Sequence, residues 1–135
     1  MKRWAALGLL AFVFAGCNGG TVDRHALKRD SEKVTSLATE GELLANDISK
    51  GASTKDFARV HAQELAGAAS DFATSLAKRP TVAGIELKVR KLSRLAAKVS
   101  RELDQLHLHP TDRGAAASLK RPLLADADAA SKLAK

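Results

Sequence analysis

Histidines are the side chains of this sequence best suited to bind a metal ion: His25, His61, His107 and His109. His61 lies on an apolar helical stripe with Glu64 three residues further on, and His and Glu that face the inside of a helical bundle can bind metals. His107 and His109 fall near a predicted turn, where Asp112 could add a ligand. One hypothesis is therefore a metal or small-ligand site at the His61 end. The alternative, which we favour, is a partly buried, hydrogen-bonded His61 with solvated histidines at the turn.

Basic residues form a second candidate site along the third predicted helix. Five of them make a possible anion-binding strip: Lys88, Lys91, Arg94, Lys98 and Arg101. The last four recur at steps of three, four and three residues, which aligns them on one side of a helix. Such a strip predicts contact with anionic headgroups, an acidic wall polymer or an acidic protein, weakened by salt. The alternative is a solvated face that neighbouring helices partly neutralise.

Known catalytic motifs do not occur in the sequence. It has no Gly-x-Ser-x-Gly nucleophile turn, no His-Glu-x-x-His zinc motif, no glycine-rich phosphate loop and no paired cysteines. Serines such as Ser70, Ser75 and Ser93 have no evident base partner in the sequence. We therefore expect a protein that is not an enzyme and uses no cofactor.

Cys17, the only cysteine, follows a segment with a characteristic order of residue types. Residues 2–3 are basic, residues 4–14 are mostly apolar, and Ala15 and Gly16 are small. This order is typical of a secretory signal peptide, and the apolar run is shorter than the roughly 20 residues that a membrane-spanning helix needs. The sequence therefore predicts export.

The segment from Phe14 to Cys17 resembles the lipobox of bacterial lipoproteins, with Phe14 where that family usually has Leu. The resemblance implies that a diacylglyceryl group is attached to the Cys17 sulfur and that a peptidase cuts between Gly16 and Cys17. Because each buried methylene contributes ~0.8 kcal/mol, two or three acyl chains would hold the protein firmly on a membrane. The expected segments are listed by residue range: a signal peptide (1–16), a lipidated flexible tether (17–21) and one folded domain (22–135).

These features predict a protein anchored on the extracytoplasmic side of the bacterial cell envelope. We expect it to contact membrane lipid through its anchor and an anionic envelope component or another envelope protein through a helix face. A further alternative is a covalent wall tether, because a class of Gram-negative lipoproteins is joined to peptidoglycan through a C-terminal lysine, and Lys135 ends this sequence. Those lipoproteins are single long helices, which Pro80, Pro110 and Pro122 exclude here.

The composition excludes several partners. The sequence has 135 residues, of which 45% are hydrophobic and 4% aromatic, and a net charge of +7. Without residues 1–16 it keeps 20 basic and 15 acidic side chains, and Phe57 and Phe72 are its only aromatic residues besides histidine. It therefore offers little surface on which sugars or bases could stack. Nucleic acid is also not an expected partner, because the chain is predicted to be exported.

Apolar residues recur at helical spacing in four segments, and none of these alternates with the period of a strand. The first stripe consists of Leu27, Val34, Leu37, Leu44 and Ile48. The second consists of Phe57, His61, Leu65, Ala68, Phe72 and Leu76. The third, the most regular, consists of Val82, Ile85, Val89, Leu92, Ala96, Val99, Leu103 and Leu106. The fourth consists of Ala116, Leu119, Leu123, Ala127 and Ala130.

Turn signals separate these segments. Gly51 predicts a left-handed helix cap, Pro80 predicts the end of the second helix, and residues 109–112 predict the turn before the fourth. Ser53-x-x-Asp56 predicts a capping box, and Pro122 should kink or split the fourth helix.

Four helices of roughly 22–28 residues joined by short turns must cover their apolar stripes against one another. The sequence therefore predicts an all-α, antiparallel, up-down-up-down four-helix bundle. Gly41 in the first helix, with Gly67, Ala68 and Ala69 in the second, should allow a close approach near the middle of the bundle. The alternative is that these small residues only reflect weak helix propensity in an alanine-rich chain.

Overall fold

The structure, a computed structural model, describes residues 20–135 and confirms the all-α four-helix bundle. Its four helices are α1 (Arg24–Lys50), α2 (Lys55–Lys78), α3 (Glu86–Leu108) and α4 (Arg113–Leu133). Their lengths of 27, 24, 23 and 21 residues are close to those expected. The described residues contain no strand, and an isolated bridge joins Val22 to Thr81.

The bundle is built from two closely packed helix pairs, α1 with α4 and α2 with α3. Side-chain hydroxyls donate to backbone carbonyls across each pair. The Thr35 hydroxyl donates a hydrogen bond to the Ala127 carbonyl at 3.4 Å, and the Ser100 hydroxyl donates one to the Ala66 carbonyl at 2.8 Å. In the second pair, Ser93 also bonds the Ala73 carbonyl, at 2.9 Å. In the first pair, Lys120 Nζ also donates to the Asn46 side-chain oxygen, at 2.8 Å. Because these partners run in opposite order along the two helices of each pair, both pairs are antiparallel.

The core lies between the four helices and is aliphatic. Its largest fully buried apolar side chains are Leu76, Leu92, Leu103, Leu106, Leu123, Val22, Val34 and Val99. Each such side chain stabilises the fold by about 1.5–3 kcal/mol relative to its exposed state. The regular stripe predicted for the third helix is buried from Ile85 to Leu106, so this part of the prediction is confirmed.

The buried face of α2 differs from the predicted stripe. Ala58 and Ala62 are completely buried at the start of the helix, whereas Phe57 and Ala68 are exposed. His61 is half-buried, which agrees with the alternative favoured for it from the sequence. The predicted stripe was wrong here because it followed the larger side chains. Alanine lets α2 lie close against α3, and the larger Phe57 and His61 are left at the margin of the interface.

Helix ends follow the turn signals in three of four cases. Gly51 adopts φ 69°, a left-handed conformation, and its N–H donates to the Ile48 carbonyl. The last residue of α2 lies two positions before Pro80, and the Asp112 carboxylate caps α4 by accepting from the Ala115 N–H at 2.9 Å. At the start of α2, Thr54 is the cap in place of Ser53, because its hydroxyl accepts from the Phe57 N–H.

The third helix starts later than its stripe predicts, at Glu86 instead of Val82. Two backbone hydrogen bonds hold the preceding segment extended, one from Val22 N–H to the Pro80 carbonyl at 2.8 Å and one from Val82 N–H to the Val22 carbonyl at 3.1 Å. Gly84 then turns the chain with φ 94°. Val82 is therefore extended and outside the helix, although its spacing matches.

Two further predictions about helices α1 and α4 are corrected in part. Of the kink or split expected at Pro122, the split does not occur, because α4 continues through Pro122 from Arg113 to Leu133 with Leu123 fully buried. Gly41 does allow a close approach, but to the Leu103 side chain of α3 and not to α2. Gly67 faces open space, so it has no part in helix packing.

Candidate functional sites

The predicted lipid anchor, Cys17 with the cleavage site after Gly16, lies outside the described residues. The folded domain begins immediately after it. Val22 is completely buried, and the Gly20 carbonyl accepts a hydrogen bond from Arg79 Nε at 3.1 Å. Arg79 is itself held by Asp30 at 3.0 Å, and both side chains are mostly buried. These contacts fix the chain three residues after Cys17.

The predicted basic strip on α3 is interrupted at Lys98, the fourth of its five residues. Lys98 Nζ contacts both carboxylate oxygens of Asp126 on α4, at 2.6 and 2.7 Å, and one Glu102 oxygen at 3.0 Å. The other four strip residues form no ion pair within the described residues: Lys88, Lys91, Arg94 and Arg101. Lys98 therefore joins α3 to α4, and the remaining strip is divided into a group of three and a single arginine.

Burial and hydrogen bonds shift two pKa values in the cluster formed by Lys98, Glu102 and Asp126. The Asp126 and Glu102 side chains are 7% and 13% exposed. Burial and, second, the hydrogen bond with Asp126 raise the pKa of Glu102 above its ordinary value. Burial opposes the charge on Lys98, but hydrogen bonds to Asp126 and Glu102 outweigh it and raise the Lys98 pKa. The cluster therefore holds a lysine charge in place between two carboxyl groups.

The histidines do not come together. His61 Nε2 lies 2.9 Å from Glu40 Oε1 on α1, and its ring stacks on Phe57 with centroids 5.3 Å apart. His107 Nδ1 lies 3.1 Å from the Arg59 carbonyl, on α2. His109 caps the end of α3. Within residues 20–135 no group of three or more His, Cys, Asp or Glu is placed to hold a metal ion.

An apolar patch, defined here as Leu43 and Phe57, lies beside His61 and was missed by the sequence analysis. Both side chains are 57% exposed. They line a cleft of about 110 Å³ between α1 and α2, together with the buried Leu44. Phe57 was assigned to the core because it is large and at helical spacing. The signal that could have found the patch is the row of alanines one position away, at Ala58 and Ala62.

The two halves of the bundle, separated at the middle of its long axis, differ in net charge. The basic half consists of residues 20–36, 67–97 and 127–135, and the near-neutral half of residues 37–66 and 98–126. The basic half carries twelve basic and six acidic side chains, for a net charge of +6. The near-neutral half carries eight basic and nine acidic side chains, for a net charge of −1. The whole positive charge of the domain is therefore at the end next to Gly20.

The predicted strip belongs to this larger distribution. Lys88, Lys91 and Arg94 lie in the basic half, whereas Arg101 lies in the near-neutral half. Arg90 and Arg94 line a cleft of about 360 Å³ between α2 and α3, whose apolar wall includes Leu76 and Val89. Lys135, the residue of the wall-tether alternative, is exposed at the same end. The excess of positive charge is thus around one end of the bundle and does not follow a single helix.

Comparison with protein-family models, with curated proteins and with solved structures gave no match for this chain. Among residues 20–135, no helix combines the length and apolar character that crossing a membrane requires.

Proposed function

We propose that this protein is a bacterial lipoprotein that is anchored on the extracytoplasmic face of a membrane and binds another envelope protein without catalysing a reaction. The observation that carries the proposal is the N-terminal order of two basic residues, an apolar run, Ala15, Gly16 and the single Cys17. The resemblance of this order to a lipobox implies acylation of Cys17.

The start of the fold supports a short anchor. A chain spans at most about 3.3–3.6 Å per residue, so the three steps from Cys17 to Gly20 cover roughly 10 Å. Gly20 is bonded to Arg79, and the buried Val22 is bonded to the loop between α2 and α3. An acylated Cys17 would therefore keep the Gly20 end of the bundle next to the membrane and direct the other end away from it.

The apolar patch supports binding of a protein partner at that outer end. Leu43 and Phe57 lie in the near-neutral half, where positive charge does not dominate. Exposed aromatic and aliphatic side chains around a cleft are typical of protein contact surfaces, in which aromatic residues are enriched. The partner that fits is an envelope protein with an apolar side chain to insert beside Phe57.

The anchor is tested by the variant Cys17→Ser, made in the full-length chain. We expect loss of acyl labelling and either release of the protein from the membrane fraction or accumulation of the uncut precursor. Intact mass of the purified wild-type protein should show acylated Cys17 as the N-terminal residue. A different N-terminus, or a free thiol at Cys17, would refute the proposal.

The partner surface is tested by crosslinking the anchored protein in its own envelope. The variant Phe57→Ser should abolish a crosslinked species that the wild type forms. Leu124→Ser is the matched control, because Leu124 is also an exposed apolar residue, on α4. If both variants keep the species, or both lose it, the apolar patch is not the binding surface.

A further inference from the structure

The basic half of the bundle ends in a ring of lysines and arginines contributed by all four helices. Those within about two turns of the end are Arg24, Lys28, Arg29, Lys78, Lys88, Arg90, Lys91 and Lys132. All are exposed except Lys88, which is half-buried. They form no ion pair within residues 20–135. We name this set the basic end.

Three of the six acidic residues in the basic half are engaged by the fold itself, and the other three are exposed: Glu32, Asp71 and Asp128. The Asp23 carboxylate accepts from the Ala26 N–H at 2.7 Å as the cap of α1, and this hydrogen bond lowers the Asp23 pKa. Glu86 Oε2 accepts from the Gly84 N–H at 2.8 Å. Asp30 is paired with Arg79. These carboxylates therefore serve local structure, and the outward-facing surface is dominated by positive charge.

A cleft of about 300 Å³ opens on the basic end where α1, α3 and α4 meet. Arg24, Lys88 and Lys135 line it, next to the apolar Leu27 and Leu133. Three cationic side chains around one opening match a phosphate group, which accepts hydrogen bonds from lysine and arginine. The cleft gives the basic end a place where one anionic headgroup can be bound by several residues together.

We infer that the basic end docks on the anionic headgroups of a phospholipid bilayer, so that the long axis of the bundle is perpendicular to the membrane plane. The inference rests on the proposed function, because the acylated Cys17 would hold this end within about one Debye length of the bilayer. Each lysine or arginine near an anionic surface adds to binding. The anchor then fixes the protein to the membrane, and the basic end fixes its orientation.

Vesicle binding of the chain from residue 18 onward tests the inference without the anchor. All four helices and their core lie within residues 20–135, and circular dichroism and thermal melting would verify the fold of each preparation. We expect binding to vesicles of phosphatidylcholine with phosphatidylglycerol, weak binding to phosphatidylcholine alone, and loss of binding at high salt. Equal binding to both kinds of vesicle would overturn the inference.

Matched charge reversals locate the docking surface. In the basic half, the triple variant Lys28→Glu, Lys91→Glu and Lys132→Glu should weaken binding to anionic vesicles by about a hundredfold. In the near-neutral half, the triple variant Lys50→Glu, Lys55→Glu and Arg121→Glu makes the same change in net charge at exposed positions. It should retain the larger part of the binding. Equal losses would mean that only net charge matters and would overturn the inference.

Orientation can be measured directly, because the chain from residue 18 has no cysteine. Ala83→Cys and Ala52→Cys place one thiol in an exposed loop at either end of the bundle. A fluorophore at position 83 should be quenched by labelled headgroups, and one at position 52 should not. Equal quenching would overturn end-on docking. Because these experiments lack Cys17, they can succeed even if the proposed acylation fails, and the two failures are distinguishable.

Discussion

The two halves of the bundle use their charged residues differently. In the near-neutral half, Lys98 lies between Glu102 and Asp126, His61 contacts Glu40, and basic and acidic side chains are nearly equal in number. In the basic half, Arg79 pairs with Asp30 and Lys33 lies over the Phe72 ring, but basic side chains outnumber acidic ones by two to one. Positive charge is thus balanced in one half and is in excess, available to an anionic partner, in the other.

The largest expected effect tests whether the two halves share one core. Leu92 is completely buried in the basic half, and Leu92→Asp would place an unpaired carboxylate there. We expect a loss of about 4 kcal/mol or more in the free energy of unfolding, enough to unfold a domain of this size. Denaturant unfolding followed by circular dichroism measures it.

The matched control for Leu92→Asp is Leu87→Asp on the same helix. Leu87 is 56% exposed, so the new carboxylate stays in water and the change in unfolding free energy should be within about 0.5 kcal/mol. If Leu92→Asp left the near-neutral half folded while the basic half melted, the halves would be separate folding units and the comparison would be between two domains.

The second prediction tests the use of charge within the fold. Asp126→Ala leaves Lys98 with only Glu102 as a partner, which should lower the free energy of unfolding by about 1–3 kcal/mol. The loss is smaller than for a fully buried ion pair because the Lys98 side chain is 44% exposed and can reach water. Asp128→Ala is the control, since Asp128 is exposed on the same helix and forms no ion pair with a described residue. Thermal melts that shift equally for both variants would contradict the role of Asp126.

Much of the fold could be predicted from the sequence, because its signals are local. The spacing from Ile85 to Leu106, the glycine at Gly51 and the proline at Pro80 each act through neighbouring residues. The buried face of α2 could not be predicted in full, because Ala58 and Ala62 carry little hydrophobic signal of their own. Their burial depends on how closely α3 approaches.

The candidate sites were predicted less well because they depend on residues far apart in the chain. The engagement of Lys98 depends on Asp126, 28 residues away. The charge difference between the halves appears only when the residues of the four antiparallel helices are grouped by their position along the bundle axis. Summing the charges by that position in the predicted bundle would have found the difference, since the topology was predicted correctly.

The third prediction concerns two helix glycines, one in each half. A Cβ at Gly41 would overlap the fully buried Leu103 side chain, so Gly41→Ala should destabilise the bundle by about 1 kcal/mol even though alanine favours a helix. A Cβ at Gly67 meets no atom within 4 Å, so Gly67→Ala should stabilise by about 0.5–1 kcal/mol. Changes of the same sign in the two melting temperatures would contradict the packing described here.

The smallest expected effect is the pH dependence of the cluster formed by Lys98, Glu102 and Asp126. The Glu102 pKa is raised in the folded protein above its ordinary value of 4.5, so the folded state binds this proton more tightly than the unfolded state. Stability from this group is fully present below pH 4.5 and is lost as the pH rises through the raised pKa. The raised pKa of Lys98 acts only in the alkaline range and does not enter this window.

Glu102→Gln removes that titration, so the variant should gain stability relative to the wild type as the pH rises above 4.5. Urea unfolding of both proteins across the acidic to neutral range gives the difference. Glu64→Gln, an exposed position in the same half, should leave the profile of the wild type unchanged. A constant difference between Glu102→Gln and wild type at every pH would show that folding does not shift the Glu102 pKa and would contradict the prediction.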